Sequence, residues 1–187
     1  CHSFDALSGE ADTTNTWAMF MPLYGGLLSK EEADSLINTW LLDPNHFWTQ
    51  FPVPSTSLQE SSFDPDGGFW RGPVWMAPNW FIYKGLKRYG YDDIAAQLKE
   101  KTIALLMQSG FREQYNPFSG EGQGAADFTW GGLVLDIDEE GRDRLGALLR
   151  SAELVIDQNN SDLVREGQEV RLMFESSAYH VYFSTIS

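Results

Sequence analysis

Residues 43–73 hold five of the eight prolines of this chain, mixed with Ser, Thr, Asp and Gly, and contain no long periodic apolar run. On both sides of that segment apolar residues recur at helical spacing, so the chain must pack helices together and carry a long irregular segment across them. A segment of that kind inside a compact domain is ordinarily functional rather than filler. Trp48, Phe51, Phe63 and Phe69 punctuate it.

The helical stretches come in order. Residues 15–28 read as a mostly apolar helix ending near Gly25-Gly26, and Ser29-Lys30-Glu31-Glu32 has the spacing of a capping box that opens a second helix to about Leu42. The short connection between them makes an αα-hairpin. A third helix is predicted over 74–90, with Trp75, Trp80, Phe81, Leu86 and Tyr89 as its apolar positions. Asp92-Asp93 place negative charge at the start of a fourth, which runs to Gly110 and buries Ile94, Ala95, Leu98, Ile103, Leu105, Leu106 and Met107. Residues 111–126 read as a Gly-rich loop, and a fifth helix holds Trp130, Leu133, Val134 and Leu135.

Paired helices with long aromatic loops at one end are the layout of a helical toroid, so the expected fold is mainly α. After Gly141 the pattern changes to β-branched and aromatic residues in partial alternation, around 153–156 and 170–186. Residues 1–141 are therefore read as one helical domain, and 142–187 as a helix extension with a short β appendage.

Composition narrows the partners. With 27 acidic residues against 13 basic ones the formal charge is −14, and the basic residues form no stripe, so a nucleic-acid backbone would be repelled. No apolar run approaches the length of a membrane span. The single cysteine and three scattered histidines give no metal-ligand spacing, and Asp136-x-Asp138-x-Glu140-Gly141 begins like a calcium loop but has Ala147 at its twelfth position. No metal or cofactor is expected. A neutral or small polar ligand fits best.

Two motifs point to which ligand. Phe69-Trp70-Arg71-Gly72-Pro73-Val74-Trp75 and Phe111-Arg112-Glu113-Gln114-Tyr115-Asn116-Pro117-Phe118-Ser119-Gly120-Glu121-Gly122 set aromatic rings, an arginine and carboxylates among Gly and Pro. Sugars stack their C–H faces on aromatic rings while charged and amide groups take their hydroxyls, so residues of these types gathered in turns favour a carbohydrate. Taken one by one they also have ordinary roles. Trp75 and Trp130, at helix starts, can be core residues; Glu113 can be a solvated glutamate paired with Arg112; Asp127 can cap the helix after it. Glu121 suits a ligand contact and plain exposure equally.

These two segments, with Phe20-Met21-Pro22-Leu23-Tyr24-Gly25-Gly26, Leu42-Asp43-Pro44-Asn45-His46-Phe47-Trp48-Thr49 and Phe128-Thr129-Trp130, resemble the C-terminal half of glycoside hydrolase family 63. Its relatives are (α/α)6-barrel processing α-glucosidases and the mannosylglycerate and glucosylglycerate hydrolases. The likeness runs from about Trp17 to Asp136 and implies part of an (α/α)6 toroid. It implies that Glu113 is the general base of an inverting hydrolase, and that Phe69, Trp70, Gly72 and Trp75 line the −1 sugar site. Arg71, Tyr115, Glu121 and Trp130 are further substrate-binding candidates. The family's proton donor is an aspartate in a Gly-rich segment upstream of these motifs, and none occurs between Cys1 and Trp17. The expectation is therefore a piece of a longer chain, inactive alone and dependent on the missing N-terminal half of the barrel. Trehalase, which shares barrel and mechanism, is an enzymatic alternative; a non-catalytic carbohydrate-binding module is the alternative of another class.

Overall fold

Ser29 and Glu32 exchange the two hydrogen bonds of a capping box: the Glu32 N–H donates to Ser29 Oγ at 3.2 Å, and the Ser29 N–H donates to Glu32 Oε2 at 2.7 Å. Two backbone donors that a helix start leaves without partners are thereby satisfied. The computed structural model describes residues 3–4 and 7–138. In it this cap opens α2, Lys30–Leu36, which continues as a π-helical turn over Ile37–Leu41.

The helix predicted over 15–28 is shorter. A 3-10 turn at Trp17–Phe20 leads into α1, Met21–Gly25. Pro22 lacks an N–H and is tolerated only in a first turn, so it sets the start; Gly26, at φ 66°, sets the end. The third helix begins two residues later than predicted, as α3, Met76–Arg88. Val74 is held in an extended conformation by pairing with Pro54 on one side and Tyr115 on the other. The fourth helix, α4, spans Asp92–Ser109 and ends at Gly110 as read.

Both α1 and α4 pack on α3. Gly85 permits the first of these contacts: a Cβ there would lie 2.8 Å from Leu23 Cβ and 2.9 Å from the Tyr24 nitrogen. The core between the helices contains Phe20, Leu23, Ile37, Phe47, Ile82, Leu86 and Leu98. On α4 the buried stripe is Ala95, Leu98, Thr102, Leu105 and Leu106. Met107, expected inside, lies one step beyond that stripe and is 50% exposed. Thr102 takes a core seat because its hydroxyl is satisfied, donating to the Leu98 carbonyl at 2.7 Å and accepting from Asn79 Nδ2 at 2.9 Å.

Two short antiparallel pairs complete the described residues. β1, Ser3–Phe4, pairs with β2, Ala11–Asp12. β3, Arg112–Tyr115, pairs with β4, Gly122–Ala126, so the predicted Gly-rich loop is a β-hairpin. A 3-10 turn at Thr129–Leu133 and α5, Val134–Ile137, follow. The tail expected over 142–187 lies outside the described residues.

The proline-rich segment is fixed by its neighbours. Thr56 pairs with Thr16, Pro54 with Val74, and Val74 in turn with Tyr115. This narrow ladder joins residues 52–57, the aromatic motif and the hairpin.

Candidate active site

The aromatic motif is a turn built around close approaches. Gly72 is buried, its N–H donates to Ser55 Oγ at 2.9 Å, and a Cβ on it would fall on the Asp64 carbonyl oxygen. Its bare Cα therefore lets the 64–66 loop pass. Thr56 Oγ1 donates to the Trp70 carbonyl at 2.9 Å, and the Trp75 indole N–H donates to the Phe69 carbonyl at 3.1 Å. These bonds hold the 3-10 turn Phe69–Arg71, in which Phe69 has φ 56°, a strained value for a side chain of that size.

Trp70 and Trp75 are stacked, with ring centroids 4.0 Å apart and planes 5° from parallel. Only 2% of Trp75 is exposed, whereas Trp70 is half-buried, Phe69 is 51% exposed and Trp130 is 37% exposed. Trp130 lies 6.3 Å from Trp70 and 5.7 Å from Trp75, ring to ring. Trp75 thus lies beneath Trp70 with almost none of its own surface open. Trp17, 6.4 Å from Trp70, and Phe81, 6.2 Å from Trp17, extend the cluster. Sequence reasoning did not place either one here. Trp17 opens the first family-like block, a signal that was present but not tied to the site.

The hairpin carries Glu113. Tyr115 N–H donates to the Val74 carbonyl at 2.9 Å and Val74 N–H donates back at 2.8 Å, so the strand bearing Glu113 is bonded to the strand entering Trp75. Tyr115 is fully buried; its hydroxyl donates to the Gly110 carbonyl at 2.8 Å and accepts from the Arg112 N–H at 3.0 Å. Burial pushes its phenol above the ordinary value, opposed by the Arg112 backbone N–H and charge. These two bonds make it an anchor for the strand.

Glu113 is partly exposed, and its Oε2 accepts from the Ala125 N–H at 3.1 Å. Its Oε1 has no hydrogen-bond partner among the described residues. The alternative pairing with Arg112 is not made: Arg112 Nη2 donates instead to the Gly124 carbonyl at 2.8 Å. A carboxylate fixed through one oxygen, with the other open, can accept a proton from water on that side.

The remaining candidates scatter. Glu121 is exposed in the hairpin turn, where its carbonyl accepts from the Asn116 N–H at 2.9 Å. Arg71 is exposed, and its Nε donates to the Gly68 carbonyl at 3.3 Å. Asp127 does not cap the next helix; it has φ 55° and is exposed, and Phe128 is the capping residue, without a side-chain bond. Asp136, the first residue of the calcium-like pattern, accepts from the Trp80 indole N–H at 2.7 Å and pairs with Lys84 at 2.9 Å.

The profile of the mannosylglycerate hydrolase MGH1-like glycoside hydrolase domain matches residues 1–131. The chain belongs to this family. Mannosylglycerate hydrolase of Thermus thermophilus is 35% identical over 131 residues, covering 68% of this chain and 30% of the relative. This member of the family thus spans less than a third of that relative's length. The crystal structure of a GH63 mannosylglycerate hydrolase from Thermus thermophilus with Tris and D-glycerate superimposes with TM-score 0.66 at 34% identity, over 73% of this chain and 32% of that one. Neutral trehalase of Saccharomyces cerevisiae aligns at 19% identity with TM-score 0.55, over 78% of this chain and 28% of its own, and so shares the fold alone. These neighbours are (α/α)6 barrels, so the paired helices described above are part of that toroid.

Proposed function

We propose that this chain carries the water-activating half of an inverting α-glycosidase site, with Glu113 as general base. The observation that supports it is the one-sided hold on Glu113: Oε2 is bound by a backbone N–H, and Oε1 is free among the described residues. Inversion needs one carboxylate to activate water on one face of the ring, and a separate acid about 6.5–9.5 Å away to protonate the leaving oxygen. Phe69, Trp70 and Trp130 present ring surface beside the strand ladder, and Arg71 presents a guanidinium, which suits a sugar stacked on aromatics and an anionic or hydroxylated aglycone.

The substrate class is an α-mannosyl or α-glucosyl group on glycerate or on an oligosaccharide. Relatives named mannosylglycerate hydrolase and a neighbour bound to D-glycerate favour the glycerate member of that pair. The acid partner is proposed to lie outside residues 1–187, which match 30% of the relative's length, and without it no turnover is expected from residues 1–187 alone. No cofactor enters the chemistry.

The test is to give the full-length protein α-mannosylglycerate, α-glucosylglycerate and an aryl α-glucoside and follow the first-formed sugar by NMR. The β-anomer should appear first. Release of the α-anomer first, or no turnover of any of the three, rejects the reading.

A further inference from the structure

We propose that the bulge formed by Gly124 and Ala125 is the device that aims the Glu113 carboxylate, and that Gly124 is a positioning residue for the hydrolytic step. The inference rests on Glu113 being the base. The register carries it: Arg112 pairs with Ala126 and Gln114 with Gln123, so Gly124 and Ala125 together oppose Glu113 alone. Such bulges bend a strand and re-aim a side chain, and in one type the first residue is a glycine in the left-handed region. Gly124 has φ 67°.

Two contacts turn this local shape into a hold on the carboxylate. The Ala125 N–H, displaced from regular pairing by the extra residue, donates to Glu113 Oε2 at 3.1 Å. The carboxylate lies over the bare Cα of Gly124: a Cβ there would sit on Oε2 itself, 2.9 Å from Glu113 Cβ and 3.1 Å from Cδ. Any L side chain at 124 would therefore strain the backbone and drive the carboxylate off the Ala125 N–H. From outside, Arg112 Nη2 grips the Gly124 carbonyl at 2.8 Å and keeps the bulge closed.

The hairpin does not need the carboxylate contact to find its register. Val74 already pins Tyr115, and the Asn116 side chain closes the turn by accepting from the N–H groups of Phe118 at 2.8 Å and Ser119 at 3.0 Å. The contact between Glu113 and the bulge is thus an addition to a strand already placed, and what it fixes is the direction of one oxygen.

The experiment is a double-mutant cycle in the full-length enzyme, assayed on α-mannosylglycerate and α-glucosylglycerate. Gly124→Ala should lower kcat about 10²-fold, as misplacement of a catalytic group by about an ångström does, with KM almost unchanged. In a Glu113→Gln background the same substitution should cost nothing further, because it acts only through that carboxylate. Gly120→Ala is the control for backbone strain: Gly120 has φ 73° in the same hairpin, and a Cβ there meets Phe51 Cε2 at 2.9 Å, away from Glu113. It should keep kcat. The proposal is overturned if Gly124→Ala keeps the wild-type kcat, if its loss adds fully to that of Glu113→Gln, or if Gly120→Ala loses as much. Should Gly124→Ala fail to fold, a crystal structure of the wild-type enzyme decides: Glu113 bonded to the Ala125 N–H supports the proposal, and a carboxylate turned away overturns it. A wild-type rate for Glu113→Gln would remove the base assignment itself, a failure distinct from the others.

Discussion

Trp70 lies flat on Trp75, 4.0 Å centre to centre, with one indole half open and the other sealed beneath it. The two rings therefore answer differently to truncation. Trp75→Ala removes a fully packed side chain and should cost about 3–5 kcal/mol of stability in denaturant unfolding. Trp70→Ala should cost less stability and raise KM for α-glycosides more, since its face is the one left to a ligand. Equal stability losses, with KM unmoved by either change, would contradict this division.

Tyr115 offers a pH-dependent test. Its folded phenol is raised by burial above its ordinary value, so the native state holds the proton where the unfolded chain, near about pH 10, releases it. The associated stability is fully present below that pH and is lost as pH rises through the native value. Tyr115→Phe should cost about 1–2 kcal/mol at neutral pH, because the Gly110 carbonyl and Arg112 N–H lose their partner. Its unfolding free energy should also fall less steeply than wild type above about pH 10. Parallel alkaline slopes would show that the hydroxyl is not buried as described.

Asn79 ties the proline-rich segment to the helices. It is fully buried, accepts from the Val53 N–H at 3.0 Å, and donates to the Pro52 carbonyl at 3.0 Å and to Thr102 Oγ1 at 2.9 Å. Asn79→Leu keeps the branch at Cγ but is bulkier and strands two backbone groups, and should cost about 3–5 kcal/mol in chemical unfolding. A loss under about 1 kcal/mol would mean that water or a rearranged loop replaces the tie.

The helices were legible where the sequence marks both ends. Asp92-Asp93 and Gly110 bound α4, and Ser29 with Glu32 open α2, because caps and charge act over one turn and need no knowledge of the rest of the fold. The hairpin was not. Its strands are four and five residues long, too short for alternation to show, and the glycines of β4 read as loop. A better signal was available in Asn116-Pro117-Phe118-Ser119-Gly120, a turn between two short polar runs. Burial was the other blind spot. Tyr115 and Trp75 have the residue types of a sugar site, and only the ladder through Val74 shows that both face inward, leaving Trp70, Phe69 and Trp130 to offer surface.

Glu113 is proposed to activate water. Glu113→Gln in the full-length enzyme keeps the side chain's size and much of its hydrogen bonding while deleting the base. Steady-state kinetics on α-mannosylglycerate and α-glucosylglycerate should show kcat reduced about 10²–10⁴-fold with KM moving far less. Glu121→Gln, on the exposed turn of the same hairpin, should cost kcat far less. The assignment of Glu113 as base is contradicted if Glu113→Gln turns over at close to the wild-type rate while Glu121→Gln is the damaging change.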